Sequence, residues 1–222
     1  MKVLELFAGT RSIGKAFEKR GHDVFSIEWD TDFENISLYA DISQVSARDI
    51  IKLCGGFPDV IWASPDCTTY SIAGISHHRK KYEHTLEAVS EYAIFCDKTN
   101  RHVLDLIQEL KPSLYFIENP RGGLRKMDFM RGLYRYTITY CKYGDTRMKP
   151  TDIWTNHPDP QFLPMCKNGD PCHEKAPRGS RKGTQGLKNA KERSVIPPLL
   201  CEHIADICES YMRERNEQIS HI

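Results

Sequence analysis

Short apolar runs alternate with amphipathic stretches along most of this chain. Apolar runs that end in polar turns predict strands, and stretches with helical spacing predict the helices between them. Alternating strands and helices are typical of an α/β protein with a mostly parallel sheet and helices on both faces. The predicted strands are 2–7, 23–28, 37–41, 58–63 and 113–117, and the predicted helices are 11–20, 46–54, 83–110 and 198–213.

The pattern changes in the last third of the chain. Residues 134–140 alternate and are rich in β-formers, which predicts a strand with 152–155 as its antiparallel partner at one edge of the sheet. Residues 156–192 hold few apolar residues and many Pro, Gly, Lys and Arg, which predicts a loop or a very small subdomain. We therefore expect a core of 1–155, an insertion at 156–192 and a C-terminal segment, 193–222, that returns to the core.

Composition narrows the class of protein. With 222 residues, 27% of them charged and 40% hydrophobic, the chain is typical of one soluble globular domain. The chain has a net charge of +1 and therefore lacks the overall basicity of a non-specific nucleic-acid binder. No apolar run approaches the roughly 18 residues needed to span a membrane, and no signal peptide precedes the first strand. We expect a cytoplasmic protein without a membrane partner, a monomer rather than an oligomer, whose eight cysteines are reduced.

Reactive side chains stand where two predicted strands end. Cys67 follows the apolar run that starts at Asp59, and Glu118 follows Leu114–Ile117. The carboxyl ends of parallel strands open onto a shared crevice, so we expect a thiol and a carboxyl at one site. Such a pair offers a nucleophile and a proton donor to one substrate. Either residue alone would be a buried Cys or a helix-capping acid, whereas their combination favours catalysis.

A second set of strand ends is typical of a nucleoside-binding site. Phe7-Ala8-Gly9 separates the first strand from a helix, where glycine lets the backbone approach a ligand and the helix start offers free N–H groups. Glu28 ends the second strand about twenty residues later, where an acid usually binds a ribose hydroxyl. Asp41 lies near the end of the third apolar segment. The first three strand ends therefore predict a nucleoside-containing cofactor.

In this order the motifs resemble those of the cytosine-C5 DNA methyltransferase family. Phe7-Ala8-Gly9 is similar to the family's cofactor loop, and Ser64-Pro65-Asp66-Cys67 is similar to its catalytic Pro-Pro-Cys turn. Glu118-Asn119-Pro120 resembles its Glu-Asn-Val segment, and Arg193–Pro197 resembles its final Asn-Ser-Val motif. The resemblance covers about residues 1–154 and 190–212 and implies a Rossmann-like fold that binds S-adenosylmethionine.

The resemblance also implies an activity and a set of site residues. The reaction would be methyl transfer to C5 of cytosine in duplex DNA, with the target base flipped out of the stack and joined through C6 to Cys67. The implied catalytic residues are Cys67, Glu118, Arg147 and Lys149, the last two in place of the family's Gln-x-Arg-x-Arg run. The implied cofactor-binding residues are Phe7, Ala8, Gly9, Thr10, Glu28, Trp29, Asp41, Ile42, Pro65, Ser194 and Val195.

Two departures from the family pattern bear on function. Asp66 stands where the family has proline, and a carboxylate there raises the pKa of the neighbouring thiol unless its side chain turns away to accept backbone N–H bonds. We expect the second arrangement. The insertion is also much shorter than the family's separate recognition domain, which predicts a target of roughly two to four base pairs. Its candidate contacts are Gln161, Arg178, Arg181, Lys182 and Gln185.

Basic and metal-ligating residues add two further expectations. The stretches 76–81 and 178–193 flank the predicted site and are expected to contact phosphates. Cys166, Cys172 and His173, with Cys141 at a distance, are candidates for a structural zinc site. The usual short Cys pair is missing, and adjacent Cys and His seldom bind one ion, so the spacing does not favour zinc and predicts no metal.

Three alternatives stay open. One is a DNA amino-group (N4 or N6) methyltransferase, because Ser64-Pro65-Asp66-Cys67 fits half of the Asp/Asn/Ser-Pro-Pro-aromatic turn of that class. The turn lacks the aromatic residue that stacks on the base in that class, and the alternative does not explain Glu118. The others are an RNA cytosine-C5 methyltransferase and a catalytically inactive nucleic-acid-binding relative.

Overall fold

The computed structural model describes residues 1–82, 85–174 and 190–220. The strands are β1 (Lys2–Leu6), β2 (Asp23–Glu28), β3 (Leu38–Tyr39), β4 (Val60–Ala63), β5 (Arg79–Tyr82), β6 (Thr85–Ala88), β7 (Leu114–Pro120), β8 (Arg135–Thr139) and β9 (Pro150–Thr155). The helices are α1 (Ser12–Lys19), α2 (Ala47–Leu53), α3 (Ile75–His78), α4 (Glu91–Leu110), α5 (Ala190–Ser194) and α6 (Pro198–Ser220). Short 3₁₀ turns cover Ile42–Gln44, Leu124–Lys126, Asp128–Met130 and Tyr140–Tyr143.

Seven strands form one sheet in the order β3-β2-β1-β4-β7-β9-β8. The first five are parallel, and β9 runs antiparallel to both β7 and β8. This is the expected mostly parallel sheet with an antiparallel hairpin at one edge. In the parallel part Leu6 pairs with both Ile27 and Ala63, and Ala63 pairs with Ile117. The residues that follow these four positions therefore lie level at one edge of the sheet.

Helices cover both faces of the sheet. Because successive side chains point to opposite faces of a strand, Leu4 and Leu6 of β1 join the core formed with α2 and α4, whereas Val3 joins the core formed with α1 and α6. Burial on both faces explains why these strands appear in the sequence as continuous apolar runs. Although α4 and α6 have 20 and 23 residues, no helix among the described residues is apolar enough to cross a membrane.

The predicted helix 83–110 is wrong at its start. Residues 85–88 form β6, which pairs with β5 in a separate two-stranded sheet, and α4 begins at Glu91. Within β6 Leu86 is buried whereas Glu87 is exposed, an alternation that fits a strand. Ser90 then adopts an extended backbone, and its side chain accepts a hydrogen bond from Ala93 N, so the helix begins where a cap is available.

Arg79 corrects one expectation about the basic stretch 76–81. Its guanidinium is buried, donates to Asp97 at 2.7 and 3.1 Å and to Thr69 O at 2.9 Å, and lies 4.2 Å from the centre of the Tyr70 ring. A side chain with these contacts supports the turn after β4 and does not reach phosphate. Lys80 and its neighbour at 81 remain exposed.

Replacing Arg79 should unfold this corner of the molecule. We expect Arg79→Met to lower the free energy of unfolding by about 3–5 kcal/mol, because it leaves the Asp97 carboxylate without its buried partner. Urea denaturation measures the change. The matched control Lys80→Met alters an exposed side chain and should stay within about 0.5 kcal/mol of the wild type. Equal stability of the two variants would contradict the structural role given to Arg79.

Candidate active site

A cleft of about 830 Å³ opens over the carboxyl ends of β1, β2, β4 and β7. Its walls include residues 7–10, 28–30, 64–68 and 147–150 and parts of 191–196. The size suits a bound cofactor and a single base, and position at the carboxyl edge is the usual ligand site of an open α/β sheet. Most of the predicted site residues thus line one cavity.

Glu28 organises the cofactor side of the cleft. Its carboxylate accepts hydrogen bonds from Gly9 N and Trp29 N, both at 2.9 Å, and from Asp30 N at 3.1 Å. These bonds tie the glycine turn after β1 to the end of β2. Since a carboxylate has roughly four acceptor positions, Glu28 retains capacity for a ligand hydroxyl.

The neighbouring backbone and ring surfaces suit a nucleoside. Phe7, Gly9 and Arg11 all have positive φ angles, 57°, 49° and 57°, which folds the turn tightly against the start of α1. The ring of Trp29 is 70% exposed and lines the cleft, where it offers a flat apolar surface to a planar base. Ile196 N donates to Ser12 Oγ at 3.3 Å, so the returning C-terminal segment lies beside this turn. These residues fit S-adenosylmethionine.

Three residues expected at the cofactor lie elsewhere in the described structure. Asp41 accepts a hydrogen bond from Ser43 N at 2.9 Å, Ile42 is 3% exposed within the core, and Val195 is 38% exposed. None of the three is among the described residues that line the cleft. Their contact with the cofactor stays a prediction.

Glu5 was not singled out from the sequence, although it also lines the cleft. It lies in the apolar strand β1, accepts Gly14 N at 2.9 Å, and burial raises its pKa to about 7. A Cβ on Gly14 would lie 2.4 Å from the Glu5 carboxylate, so a larger residue there would displace this side chain. The signal available in the sequence was a single acid within an apolar strand.

The turn that carries Cys67 is locked to the end of β7. Asn119 Nδ2 donates to Pro65 O at 2.9 Å, and Gly123 N donates to Tyr70 O at 2.7 Å. A Cβ on Gly122 would lie 2.4 Å from the same carbonyl oxygen of Tyr70, so the close approach requires glycine. The structure therefore brings Cys67 and Glu118 to one cleft, as the order of their strands indicated.

Asp66 adopts the arrangement expected from the sequence. Its carboxylate accepts Thr68 N at 2.7 Å and Thr68 Oγ1 at 3.1 Å within the turn. Burial, together with the charges of Asp66 and Glu118, nevertheless raises the pKa of Cys67 to about 11, and the cation of Lys149 opposes this rise. The thiol is thus predominantly protonated at neutral pH in the free protein.

Tyr140 is a site residue that the sequence did not reveal. Its hydroxyl donates to Glu118 Oε1 at 2.9 Å, and both side chains are buried. Burial and the Glu118 charge hold the pKa of Tyr140 well above its usual range, so the phenol stays a donor. Tyr140 reaches Glu118 because it lies just after β8, whose partner β9 pairs with β7, and that pairing is visible only in the structure.

The two expected cations have different surroundings. Lys149 Nζ donates to Arg193 O at 2.9 Å and lies 4.4 Å from the centre of the Tyr140 ring, and burial lowers its pKa. Arg147 also lines the cleft, but its guanidinium is paired with Asp145 at 2.5–3.2 Å. Lys149 is therefore the cation whose charge acts on Cys67.

The insertion is described only in part. Arg178, Arg181, Lys182 and Gln185 lie outside the described residues, as does the remainder of 175–189. Gln161 is exposed and its amide contacts Asp159.

The four metal-ligand candidates do come together. The ligand atoms of Cys141, Cys166, Cys172 and His173 all lie within 4.8 Å of one another.

Comparison with known proteins identifies the family. The sequence profile described as "C-5 cytosine-specific DNA methylase" matches residues 1–135, more than half of the chain. The chain belongs to this family. DNA cytosine-5 methylation and S-adenosylmethionine, expected from the sequence, are the activity and the methyl donor of C-5 cytosine-specific DNA methylases, so both expectations are confirmed at the level of the family.

Individual proteins are similar to this chain in sequence or in fold. A Frog virus 3 (isolate Goorha) protein named "Probable DNA (cytosine-5)-methyltransferase" is 26% identical over 94% of this chain and 100% of its own length. Entamoeba histolytica methyltransferase EhMeth aligns with a TM-score of 0.52 and 14% identity over 75% of this chain and 57% of its own. S. pombe Dnmt2 methyltransferase aligns with a TM-score of 0.46 and 13% identity over 70% of this chain and 48% of its own. This C-5 methylase thus spans about half the length of the two solved structures.

The cofactor side can be tested by calorimetry. We expect Glu28→Ala and Asp41→Ala each to weaken S-adenosylmethionine binding by about 1–3 kcal/mol, the usual cost of removing one partner of a charge-assisted hydrogen bond. Glu34→Ala changes an exposed acid nearby and should leave the affinity unchanged. Wild-type affinity in both Glu28→Ala and Asp41→Ala would show that the cofactor binds elsewhere, provided that thermal denaturation confirms folding.

The electrostatic environment of Cys67 predicts its reactivity. Alkylation by iodoacetamide should accelerate about tenfold per pH unit up to a pH of about 11, because only the thiolate reacts. At pH 8 we expect Asp66→Asn to speed alkylation and Lys149→Met to slow it, since one change removes an anion and the other a cation. Peptide mass spectrometry measures the modification at Cys67, with Glu34→Gln as control. Changes of the same sign in the two variants would contradict this electrostatic account.

Proposed function

We propose that this chain methylates C5 of cytosine in DNA through a covalent bond between Cys67 Sγ and C6 of the base. The observation that carries the proposal is the shared cleft. Cys67 and Glu118 lie on strand ends joined by the Asn119–Pro65 hydrogen bond, at the same edge of the sheet as the Glu28 turn. A nucleophile, a carboxyl group and a nucleoside-binding turn are thus held on one rigid support.

Cys67 initiates the reaction. C5 of cytosine is a poor nucleophile, and addition of a thiolate to C6 moves an electron pair of the C5–C6 double bond towards C5 and the ring. With a pKa of about 11 only about one Cys67 in ten thousand is thiolate at pH 7 in the free protein. Lys149 lowers the cost of the thiolate because its positive charge, in the same cleft, interacts favourably with the sulfur anion.

Glu118 acts on the other side of the base. Tyr140 donates to Oε1, which leaves Oε2 for the N3 position of cytosine. As electron density enters the ring, N3 becomes more basic, and a proton shared between N3 and Glu118 Oε2 balances the developing charge. Tyr140 positions the carboxyl group for this role. The hydrogen bond also limits the rotation of Glu118 within its pocket.

The remaining steps restore the aromatic ring. When bound beside the Glu28 turn, S-adenosylmethionine supplies the methyl group that C5 takes up. C5 then loses its proton, the electron pair of that C–H bond re-forms the C5–C6 double bond, and the S–C6 bond breaks to release Cys67. Glu5 is a carboxyl group that lines the cleft, and water is also adequate for proton removal.

We infer the DNA-binding surface from the exposed cations that flank the cleft. Lys80 and Lys81 are candidates for phosphate contacts, which position a duplex without reading its sequence. Lys191 is a less exposed candidate, since its Nζ donates to Asp32 O at 3.0 Å. A cytosine must leave the stack to reach Cys67, so duplex DNA with a flipped base is the substrate form that fits. In this proposal residues 1–155 are the catalytic core, 156–192 a reduced recognition region, and 193–222 the segment that completes the cleft.

A product assay tests the whole proposal. Incubation of the full chain with radiolabelled S-adenosylmethionine and duplex DNA, followed by nucleoside analysis, should yield 5-methyldeoxycytidine. A parallel incubation with RNA tests the RNA alternative. Label in N4-methyldeoxycytidine or N6-methyldeoxyadenosine would support an amino-group methyltransferase, and no label in either nucleic acid would support an inactive relative.

The covalent step has a specific signature. Cys67→Ser should abolish methyl transfer while S-adenosylmethionine affinity stays near the wild-type value, because Cys67 acts on the base. DNA that contains 5-fluorocytosine should trap the wild type covalently, since the fluorine cannot leave as a proton does, and denaturing gels detect the complex. Cys54→Ser alters a partly buried thiol far from the cleft and is the control. Full activity of Cys67→Ser would refute the covalent mechanism.

A further inference from the structure

We propose that Cys141, Cys166, Cys172 and His173 bind one structural zinc ion. The site is separate from the chemistry proposed for Cys67 and does not depend on it. The donor set, three thiols and one imidazole, is one of the closed combinations that structural zinc sites use. Soft sulfur ligands with one nitrogen also favour zinc over the hard cations magnesium and calcium.

The donor atoms form a compact cluster with the dimensions of a four-ligand metal site. Cys141 Sγ lies 3.1 Å from Cys166 Sγ and 3.6 Å from Cys172 Sγ, and His173 Nδ1 lies 3.7 Å from the sulfur atoms of both Cys166 and Cys172. With Zn–S bonds of about 2.3 Å and Zn–N bonds of about 2.0 Å, neighbouring ligand atoms lie about 3.5–3.8 Å apart. Three of these four distances agree with that range, and the Cys141–Cys166 distance is shorter, so zinc binding would move these two sulfur atoms slightly apart.

The cluster is partly buried, and its thiols and imidazole are not used by disulfides or by strong hydrogen bonds within the described residues. Cys141 and Cys166 are 7% and 4% exposed, and all eight cysteines of the chain are unpaired. His173 Nε2 is buried without a hydrogen-bond partner among the described atoms, and Nδ1 contacts the sulfur atoms of Cys166 and Cys172. Thiol groups are weak hydrogen-bond donors and acceptors, so hydrogen bonds alone stabilise this assembly poorly.

The ion would join the insertion to the catalytic core. Cys141 lies in the 3₁₀ turn that begins with Tyr140, whereas the other three ligands lie in the insertion. Residues 156–174 have little apolar material of their own, since Leu163 is 43% exposed and Phe162 is only partly buried. A short segment without a hydrophobic core commonly needs a metal or disulfide staple.

Backbone hydrogen bonds show where the staple acts. Cys166 N donates to Thr139 Oγ1 at 3.1 Å, and Glu174 N donates to Thr146 O at 2.8 Å. Asn168 and His173 line the cleft opposite the cofactor turn. A zinc ion would therefore fix one wall of the cleft beside Arg147 and Lys149.

Metal analysis of the purified full chain tests the proposal without reference to activity. We expect about one zinc ion per chain by mass spectrometry, and replacement with cobalt(II) should produce thiolate charge-transfer bands together with the intense visible bands of a tetrahedral site. Cys166→Ser and Cys172→Ser should lose the metal. Cys67→Ser, which removes the proposed nucleophile, should retain it, so that failure of the zinc proposal and failure of the methylation mechanism are distinguishable.

Further measurements keep the test decisive if a variant fails to fold. His173→Cys preserves four ligands and should retain zinc with a cobalt spectrum of a four-thiolate site, whereas His173→Ala should bind the metal weakly. Chelation of the wild type should speed proteolysis within 156–174. A wild-type chain that neither contains zinc nor gives cobalt bands would overturn the proposal, as would a Cys141–Cys166 disulfide found by mass spectrometry of the unreduced protein.

Discussion

The parallel register of four strands is the constraint on which the site depends. Because the ends of β1, β2, β4 and β7 are level, four separate segments deliver their first polar residues to one edge of the sheet. Two of these ends are then held by a side chain from a neighbouring strand end. Glu28 secures the turn after β1, and Asn119 secures the turn after β4. The cleft is thus a consequence of sheet geometry, made rigid by two polar side chains.

The charges within the cleft oppose one another. Burial and two carboxylates raise the pKa of Cys67, whereas Lys149 lowers it. In the same cavity burial lowers the pKa of Lys149, and the charges of Glu118 and Cys67 counteract that effect. Such mutual dependence is typical of a functional site, where a reactive group is stabilised only in the presence of its partners. Asp66 is one of these two carboxylates, and it raises the pKa of Cys67 even though it accepts two hydrogen bonds from Thr68 within the turn.

Residues 156–174 illustrate how a small segment packs against a larger domain. They have too few buried apolar side chains to form a core, so their position depends on polar links to the edge hairpin and its flanking turns. The proposed metal site concentrates these links at Cys141, immediately after Tyr140. One short turn would then connect the insertion, the Glu118 carboxyl group and the cation at Lys149. The proposed metal site would therefore place the insertion in contact with the groups proposed for catalysis.

The sequence by itself determined the sheet, the order of the motifs and the pairing of Cys67 with Glu118. Continuous apolar strands followed by polar turns are local patterns in the sequence. Parallel topology then brings the ends of these strands to one edge of the sheet. Local pattern misjudged residues 85–88, because a short amphipathic stretch before a helix resembles its first turn. Tertiary structure alone decided that Arg79 is buried, that Tyr140 reaches Glu118, and that three cysteines and a histidine separated by up to 32 positions meet. These contacts join side chains from segments that are far apart in the sequence. Spacing along the chain does not indicate which of these segments meet in the folded protein.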